Sequence, residues 1–182
     1  MRTAAELFYK NGYRATGINE VIDKSGVARA TFYSHFPSKD ALCLAYLQER
    51  NRGELQALKE AVARRQTPRE KLLAVIEILE PWLVENKLRG CGFLNMVAEE
   101  PDPASPLRLE GKDHYEHTRQ LVRQLAEELF AAEPEKYRQR DVASFTDDFM
   151  VIFTGTIGLA DIYHATWPIE QGIRAVHRLL DQ

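Results

Sequence analysis

His114 and His117 stand one helical turn apart beside Glu110, Asp113 and Glu116, a set that could hold a metal ion on one helix. A di-metal carboxylate bundle needs a matching Glu-x-x-His on a second helix, and the chain has none. The set reads instead as the polar start of an exposed helix. Cys91 lies between two glycines and could be a reactive thiol, yet no histidine is placed by sequence to activate it. Ser25 and Ser38 fall where turns and helix caps need a hydroxyl. No catalytic residue, cofactor or metal is expected. A different constellation lies earlier. Arg29, Ala30, Tyr33 and Ser34 share one helical face, Thr31 and His35 flank it, and Lys39 follows. Small residues there let a backbone approach a groove, and one arginine can reach a base edge.

That face exists only if neighbouring elements force it outward. Ala4, Leu7 and Phe8 repeat at helical spacing, and Gly12 can close the first helix in the left-handed conformation. Ile18, Val21 and Ile22 mark a second, short helix that ends at Ser25-Gly26. Gly26 accepts a positive φ that a side chain resists, and Val27 is expected to bury against helix two. A third helix carries Ala28, Phe32 and Phe36 inward and stops before Pro37. Three short helices with a tight glycine turn are the makings of a helix-turn-helix. Ser38 then caps a long helix reaching about Arg64. A cation in a helix's first turn opposes the macrodipole, so Lys39 there suggests a phosphate partner; a solvated surface lysine is the plainer reading of the residue alone, but not beside Tyr33 and His35.

Beyond residue 64 the pattern stays helical. Thr67-Pro68 opens a helix bent or broken at Pro81, Gly90–Leu94 leads a short one that ends before Pro101, and residues 101–106 form a loop. Leu121, Leu125 and Leu129 mark a long helix, Val142 to Phe153 another, and Ile169 to Leu180 the last. The fold class is all-α: a three-helix DNA-binding domain over residues 1–47, then a larger helical domain over 48–182.

Composition sets the bounds. The 182 residues are 45% hydrophobic and 28% charged, which excludes a wholly disordered chain. The net charge of -3 supplies no global basic field for holding nucleic acid indiscriminately. Locally the balance differs, with six Lys or Arg against four acids in residues 1–47. Two separated cysteines argue against a disulfide framework and fit a reducing cytoplasm. Residues 1–30 hold no apolar stretch followed by a cleavage site, so no signal peptide is expected. The richest apolar window, Phe149 to Ala160, is short for a membrane span.

The runs Gly12-Tyr13-Arg14-Ala15-Thr16-Gly17-Ile18 and Ser25-Gly26-Val27-Ala28-Arg29-Ala30-Thr31-Phe32-Tyr33-Ser34-His35-Phe36-Pro37-Ser38-Lys39-Asp40-Ala41-Leu42 resemble the DNA-binding domain of TetR-family transcriptional regulators. The resemblance covers nearly all of residues 3–47. It implies that Tyr33, His35, Lys39 and Thr16 touch phosphates, while Arg29, Ala28, Ala30 and Thr31 face bases, with Ser34 beside them. It also implies a longer first helix and a basic arm, so residues preceding Met1 are expected. Gly17 stands where many members carry a capping Ser or Thr, and Thr16 is expected to cap instead. The stretch Arg89–Asn95 with Glu99 and Pro101-Asp102-Pro103 is similar to one common subgroup.

In such regulators the C-terminal helices bind an effector and form the dimer. Trp82, Phe93, Met96, Tyr115, Phe149 and Phe153 are the candidate lining of an apolar effector site, with Asn95, His114, His117 or Tyr163 as polar anchors. Aromatic and Met stripes at helical spacing more often form ordinary core than a ligand wall. Ile169, Ile173, Val176 and Leu180 make a seam at 4-3-4 spacing, and Gly155, Gly158 and Gly172 permit close helix approach. These are the candidate dimer residues, although the same seam would serve packing within one subunit. The implied function is a cytoplasmic repressor that binds a double-stranded, palindromic operator as a homodimer, outside any membrane, and is released by a small, largely apolar molecule. A helical effector-binding or scaffold protein whose DNA domain no longer reads an operator stands as the other reading.

Overall fold

The apolar spacing becomes helices along the whole chain. The computed structural model describes residues 1–181, and among them ten α-helices and no strand occur. They are α1 (Arg2–Asn11), α2 (Ile18–Ser25), α3 (Arg29–His35), α4 (Lys39–Ala63), α5 (Pro68–Glu77), α6 (Leu79–Glu85), α7 (Gly92–Glu99), α8 (Pro106–Ala132), α9 (Val142–Tyr163) and α10 (Trp167–Asp181). Two compact units result. The first takes Met1–Gly53 with Gly92–Tyr115, and the second takes Glu54–Cys91 with the chain from Glu116 onward. The first unit thus adds the first part of α4, α7 and the start of α8 to the three short helices.

In the first unit Leu7 and Phe8 of α1, Val21 and Ile22 of α2, Phe32 of α3 and Leu42 of α4 are buried. Phe93 and Met96 bury the inner face of α7. Two expectations fail at the turns. Gly12 takes φ 89 with ψ 163, so it turns through the glycine-only extended region rather than left-handed helix. Val27 stays 40% exposed instead of burying on α2, and Ala28 is exposed as the N-cap of α3. Phe32 alone of the expected inward trio is buried; Phe36 is half-buried.

In the second unit the expected bend falls ahead of Pro81. Pro81 has no N–H for the carbonyl four residues back and its ring crowds that carbonyl, which belongs to Glu77. α5 accordingly ends at Glu77 and α6 restarts at Leu79, with the proline in the first turn. Thr67 and Glu70 form a capping box at the start of α5. The last carbonyls of α10 are caught by three side chains: Tyr137 Oη donates to Leu180 O at 2.7 Å, Arg140 Nη1 to Leu179 O at 2.6 Å and Arg69 Nη1 to Leu180 O at 3.1 Å. Two of the three carry positive charge at a helix C-terminus, where the macrodipole favours it.

The packing of α10 on α9 and α5 corrects the candidate dimer seam. Ile169, Gly172, Val176 and Leu180 are buried inside the unit, and Ile173 is half-buried. A Cβ on Gly172 would sit 3.1 Å from Cβ and Cγ2 of Thr156 and closer still to its Oγ1. The glycine therefore serves contact between α9 and α10. A spacing that demands one apolar neighbour does not say whether that neighbour belongs to the same chain. Gly155 and Gly158 differ, with nothing within 4 Å of a Cβ built on either. They lie along an outward apolar stripe of α9, Val151, Gly155, Leu159 and Ile162, in which Val151 and Ile162 are 73% and 75% exposed. By length and composition α9 is apolar enough to cross a membrane, longer than the window read from sequence. Its inner face, from Phe145 to Ala160, supplies core to the second unit and accounts for much of that content.

Cys43 and Cys91 are both buried and form no disulfide among the described residues, and burial pushes the Cys43 thiol up to about 12. Native protein should therefore leave an aromatic disulfide reagent nearly unreacted at neutral pH, and guanidinium should release both thiols. Rapid native reaction of one equivalent would contradict the burial.

Candidate nucleic-acid interface

The turn between α2 and α3 is built as its residues demand. Gly26 adopts φ 68 and ψ 12, the left-handed C-cap that ends α2. Ser25 Oγ donates to Ile22 O at 3.0 Å and accepts from Val27 N at 3.4 Å, closing the turn with one hydroxyl. Phe32 anchors α3 from beneath, its ring edge-on to Tyr33 at 5.4 Å and tilted to Phe36 at 6.0 Å. Around that single buried contact Arg29, Ala30, Thr31, Tyr33, Ser34 and His35 are all exposed. Ser34 Oγ donates to Thr31 O at 2.7 Å, which leaves its oxygen free to accept.

Thr16 is a correction. It is fully buried, and its hydroxyl donates to Gly12 O at 2.7 Å and toward Leu7 O at 3.2 Å. Its side chain is turned inward, where an outside phosphate cannot reach it, and it does not cap α2, whose N-cap is Gly17 without any side-chain bond. The hydroxyl is consumed in closing the end of α1.

Lys39 has a use that the sequence did not reveal. Its ammonium donates to Tyr13 O at 3.1 Å and Thr16 O at 3.3 Å, and it lies 4.2 Å from the centre of the Tyr13 ring. An ammonium has three donors, so one remains for another acceptor such as a phosphate oxygen. The cation at the start of α4 is thus offset by two carbonyls and a ring face rather than by a helix end. Ser38 caps α4 as expected, accepting from Ala41 N at 3.0 Å. The Tyr13 phenol donates to the Asp40 carboxylate. Burial first, and then that hydrogen bond, push the phenol well above its ordinary range, so it stays a donor.

The candidate effector residues divide between the units. Phe93, Met96 and Tyr115 belong to the first, whereas Trp82, Phe149 and Phe153 belong to the second. Phe93 and Phe149 are fully buried. Two cavities, of about 560 Å³ beside Ala57, Ala61 and Ile78 and about 130 Å³ beside Ala4, Phe32 and Phe36, are lined by none of the six. A polar cluster in the first unit was missed. Asn51, almost fully buried, donates to Glu110 Oε1 at 3.0 Å, and its Oδ1 lies 3.2 Å from His114 Nδ1. The His114 ring stacks on Phe93 at 3.9 Å. Asn51 continues the buried Cys43–Leu47 stripe of α4 by one turn, so its inward direction was readable.

A family model described as "Bacterial regulatory proteins, tetR family" matches residues 1–46. The chain is 31% identical over 108 residues to the HTH-type transcriptional activator FasR of Mycolicibacterium smegmatis, covering 58% of this chain and 49% of that one. It is 27% identical over 73 residues to the Fatty acid metabolism regulator protein of Bacillus subtilis, covering 40% and 38%. The chain thus spans about half the length of these curated relatives, or less. Among solved structures, SCO4454, a TetR-family transcriptional regulator from Streptomyces coelicolor, matches with a TM-score of 0.84 and 27% identity over 98% of this chain and 90% of that one.

Proposed function

The chain belongs to the TetR family of transcriptional regulators and carries its DNA-binding helix-turn-helix, and from that premise we propose that it binds a palindromic operator as a homodimer and is released by a small molecule. One observation carries the reading: six of the seven residues of α3 stand exposed around a single buried anchor, Phe32. Arg29 reads a base edge, with Ala28, Ala30 and Thr31 beside it. Tyr33, His35 and the remaining Lys39 donor hold phosphates, and Ser34 adds an acceptor at the same face. Residues 1–47 form the DNA-binding domain and 48–182 the effector and dimer domain, in the cytoplasm.

The dimer uses the outward stripe of α9 rather than the buried seam of α10. Val151, Gly155, Gly158, Leu159 and Ile162 offer an apolar strip with two positions where backbones can approach. A two-fold copy of that strip is self-complementary, and a two-fold protein matches a palindromic site. The effector is largely apolar. A buried charge without a partner would cost several kcal/mol, and Phe93, Met96, Phe149 and Phe153 are buried apolar groups. A relative named for fatty acid metabolism supports that direction. Repression is the proposed sense; the FasR relative is an activator by name, which makes transcription itself a measured outcome.

The test is selection of duplexes from a random pool by the full chain at physiological salt. We expect a palindrome whose half-sites lie about one DNA turn apart, ~34–36 Å, or a multiple, bound by one dimer. A chain that retains no sequence above scrambled duplex would favour the scaffold reading instead. Placing the selected site within a reporter promoter then reads the sense: lowered transcription supports repression and raised transcription rejects it.

A further inference from the structure

We propose that Glu99 is the coupling residue of this regulator: its carboxylate holds the Tyr13 and Arg14 amides and so ties the position of α7 to Lys39 and the start of α4. The proposal rests on the reading of α3 and α4 as the DNA-facing elements.

The geometry runs through one turn of chain. Glu99, the last residue of α7, accepts Arg14 N on Oε2 at 2.7 Å and Tyr13 N on Oε1 at 3.3 Å. Two adjacent backbone amides facing one carboxylate form a small anion cradle, and charge-assisted bonds of this kind are stronger than neutral ones. The cradle exists because Gly12 precedes it. With φ at 89 and a would-be Cβ only 2.7 Å from Glu99 Oε1, any side chain at residue 12 would displace the carboxylate.

Tyr13 is held from its other side by α4. Its carbonyl accepts from Lys39, its phenol donates to Asp40, and the Lys39 ammonium sits over its ring. Glu99 is therefore separated from Lys39 by a single residue, although sixty residues separate them in sequence. The far end of the path is also fixed. Arg108 Nη1 donates to Val97 O at 2.6 Å and Glu100 O at 2.8 Å, which binds the end of α7 to the start of α8. A shift of α7 reaches the residue proposed to meet phosphate through Glu99 and Tyr13, whereas α8 is tied to α4 three turns further along, by Asn51 and Glu110. A contact holding two elements together carries coupling only if disturbing one changes the other.

A double-mutant cycle on the full chain tests this without DNA. Arg108→Ala loosens the end of α7 and leaves every residue of the Glu99–Tyr13–Lys39 path in place. In wild-type background we expect it to speed amide exchange at residues 13, 14 and 39–42 by about tenfold. In Glu99→Gln background, which keeps the volume but weakens the cradle, Arg108→Ala should add less than about twofold at the same amides. Glu99→Asp should fall between the two. Equal acceleration in both backgrounds would overturn the proposal and leave Glu99 as a local clamp.

A second arm uses the selected duplex. Coupling is reciprocal, so duplex binding should slow exchange across α7 in wild type and lose that effect in Glu99→Gln. Slowing that persists in Glu99→Gln would also overturn the proposal. If no duplex is selected, the DNA reading fails by itself, while the cycle still decides whether Glu99 couples α7 to α4.

Discussion

Replacing Gly172 with leucine should collapse the second unit, whereas replacing Gly155 with leucine should leave each subunit folded and abolish the proposed dimer. The two glycines fall on adjoining helices yet face different surroundings. At Gly172 even a methyl group would press on Thr156, a buried residue of α9 whose hydroxyl donates to Ile152 O at 2.8 Å. Neither helix can retreat cheaply, because α10 is also packed on α5 and its end is fixed by Arg69, Tyr137 and Arg140. Overpacking of this kind costs about 1–3 kcal/mol for small additions. A leucine adds far more, against a total stability of about 5–15 kcal/mol for an ordinary domain. Gly155 has open space, and leucine there removes a mid-helix glycine, which favours the helix by about 1 kcal/mol. Circular dichroism should show a molten or insoluble Gly172→Leu and a Gly155→Leu that melts no lower than wild type. Light scattering should show Gly155→Leu as a monomer, as it should Ile162→Glu. A dimer surviving both α9 changes would remove the outward stripe from the interface.

The contrast marks what helical periodicity can and cannot deliver. Repeats at three and four residues identified the helices of both units, and the Ser25-Gly26 turn, the Ser38 cap and the outward face of α3 followed from local chemistry. Periodicity also identified Ile169, Val176 and Leu180 as needing apolar neighbours. It held no information about which chain supplies them, and α9 and α5 do. Thr16 went astray for a related reason: a threonine before a helix start can cap it, or turn back to the preceding helix, and the choice depends on where Leu7 and Gly12 leave their carbonyls. Glu99 was visible only as part of a motif, because its partners lie 86 and 85 residues away. Pairings at such distance leave no trace in local spacing.

Lys39 joins both themes, and its replacement should have the largest effect on DNA. Arg29→Ala removes a side chain that stands exposed on α3. It should relax discrimination at one base position and cost ~1–3 kcal/mol there, if the arginine reads a guanine edge. Lys39→Ala should weaken selected and scrambled duplexes alike. Part of that loss is electrostatic: each phosphate contact contributes about 0.9 to the slope of log affinity against log salt, so the slope should flatten by about one for each subunit. A further part should not depend on salt, because the Tyr13 and Thr16 carbonyls lose their donor and the α1–α2 turn loses its hold on α4. Lys39→Arg keeps the charge but replaces a compact ammonium by a planar fork that does not fit the same two carbonyls over a ring. It should therefore preserve the salt slope while losing affinity at every salt concentration. Measured side by side, the two variants separate the phosphate contact from the tie. A Lys39→Arg protein that matched wild type at all salts would show the tie to be dispensable. A Lys39→Ala protein with an unchanged slope would remove Lys39 from the phosphate contacts and leave only its structural use.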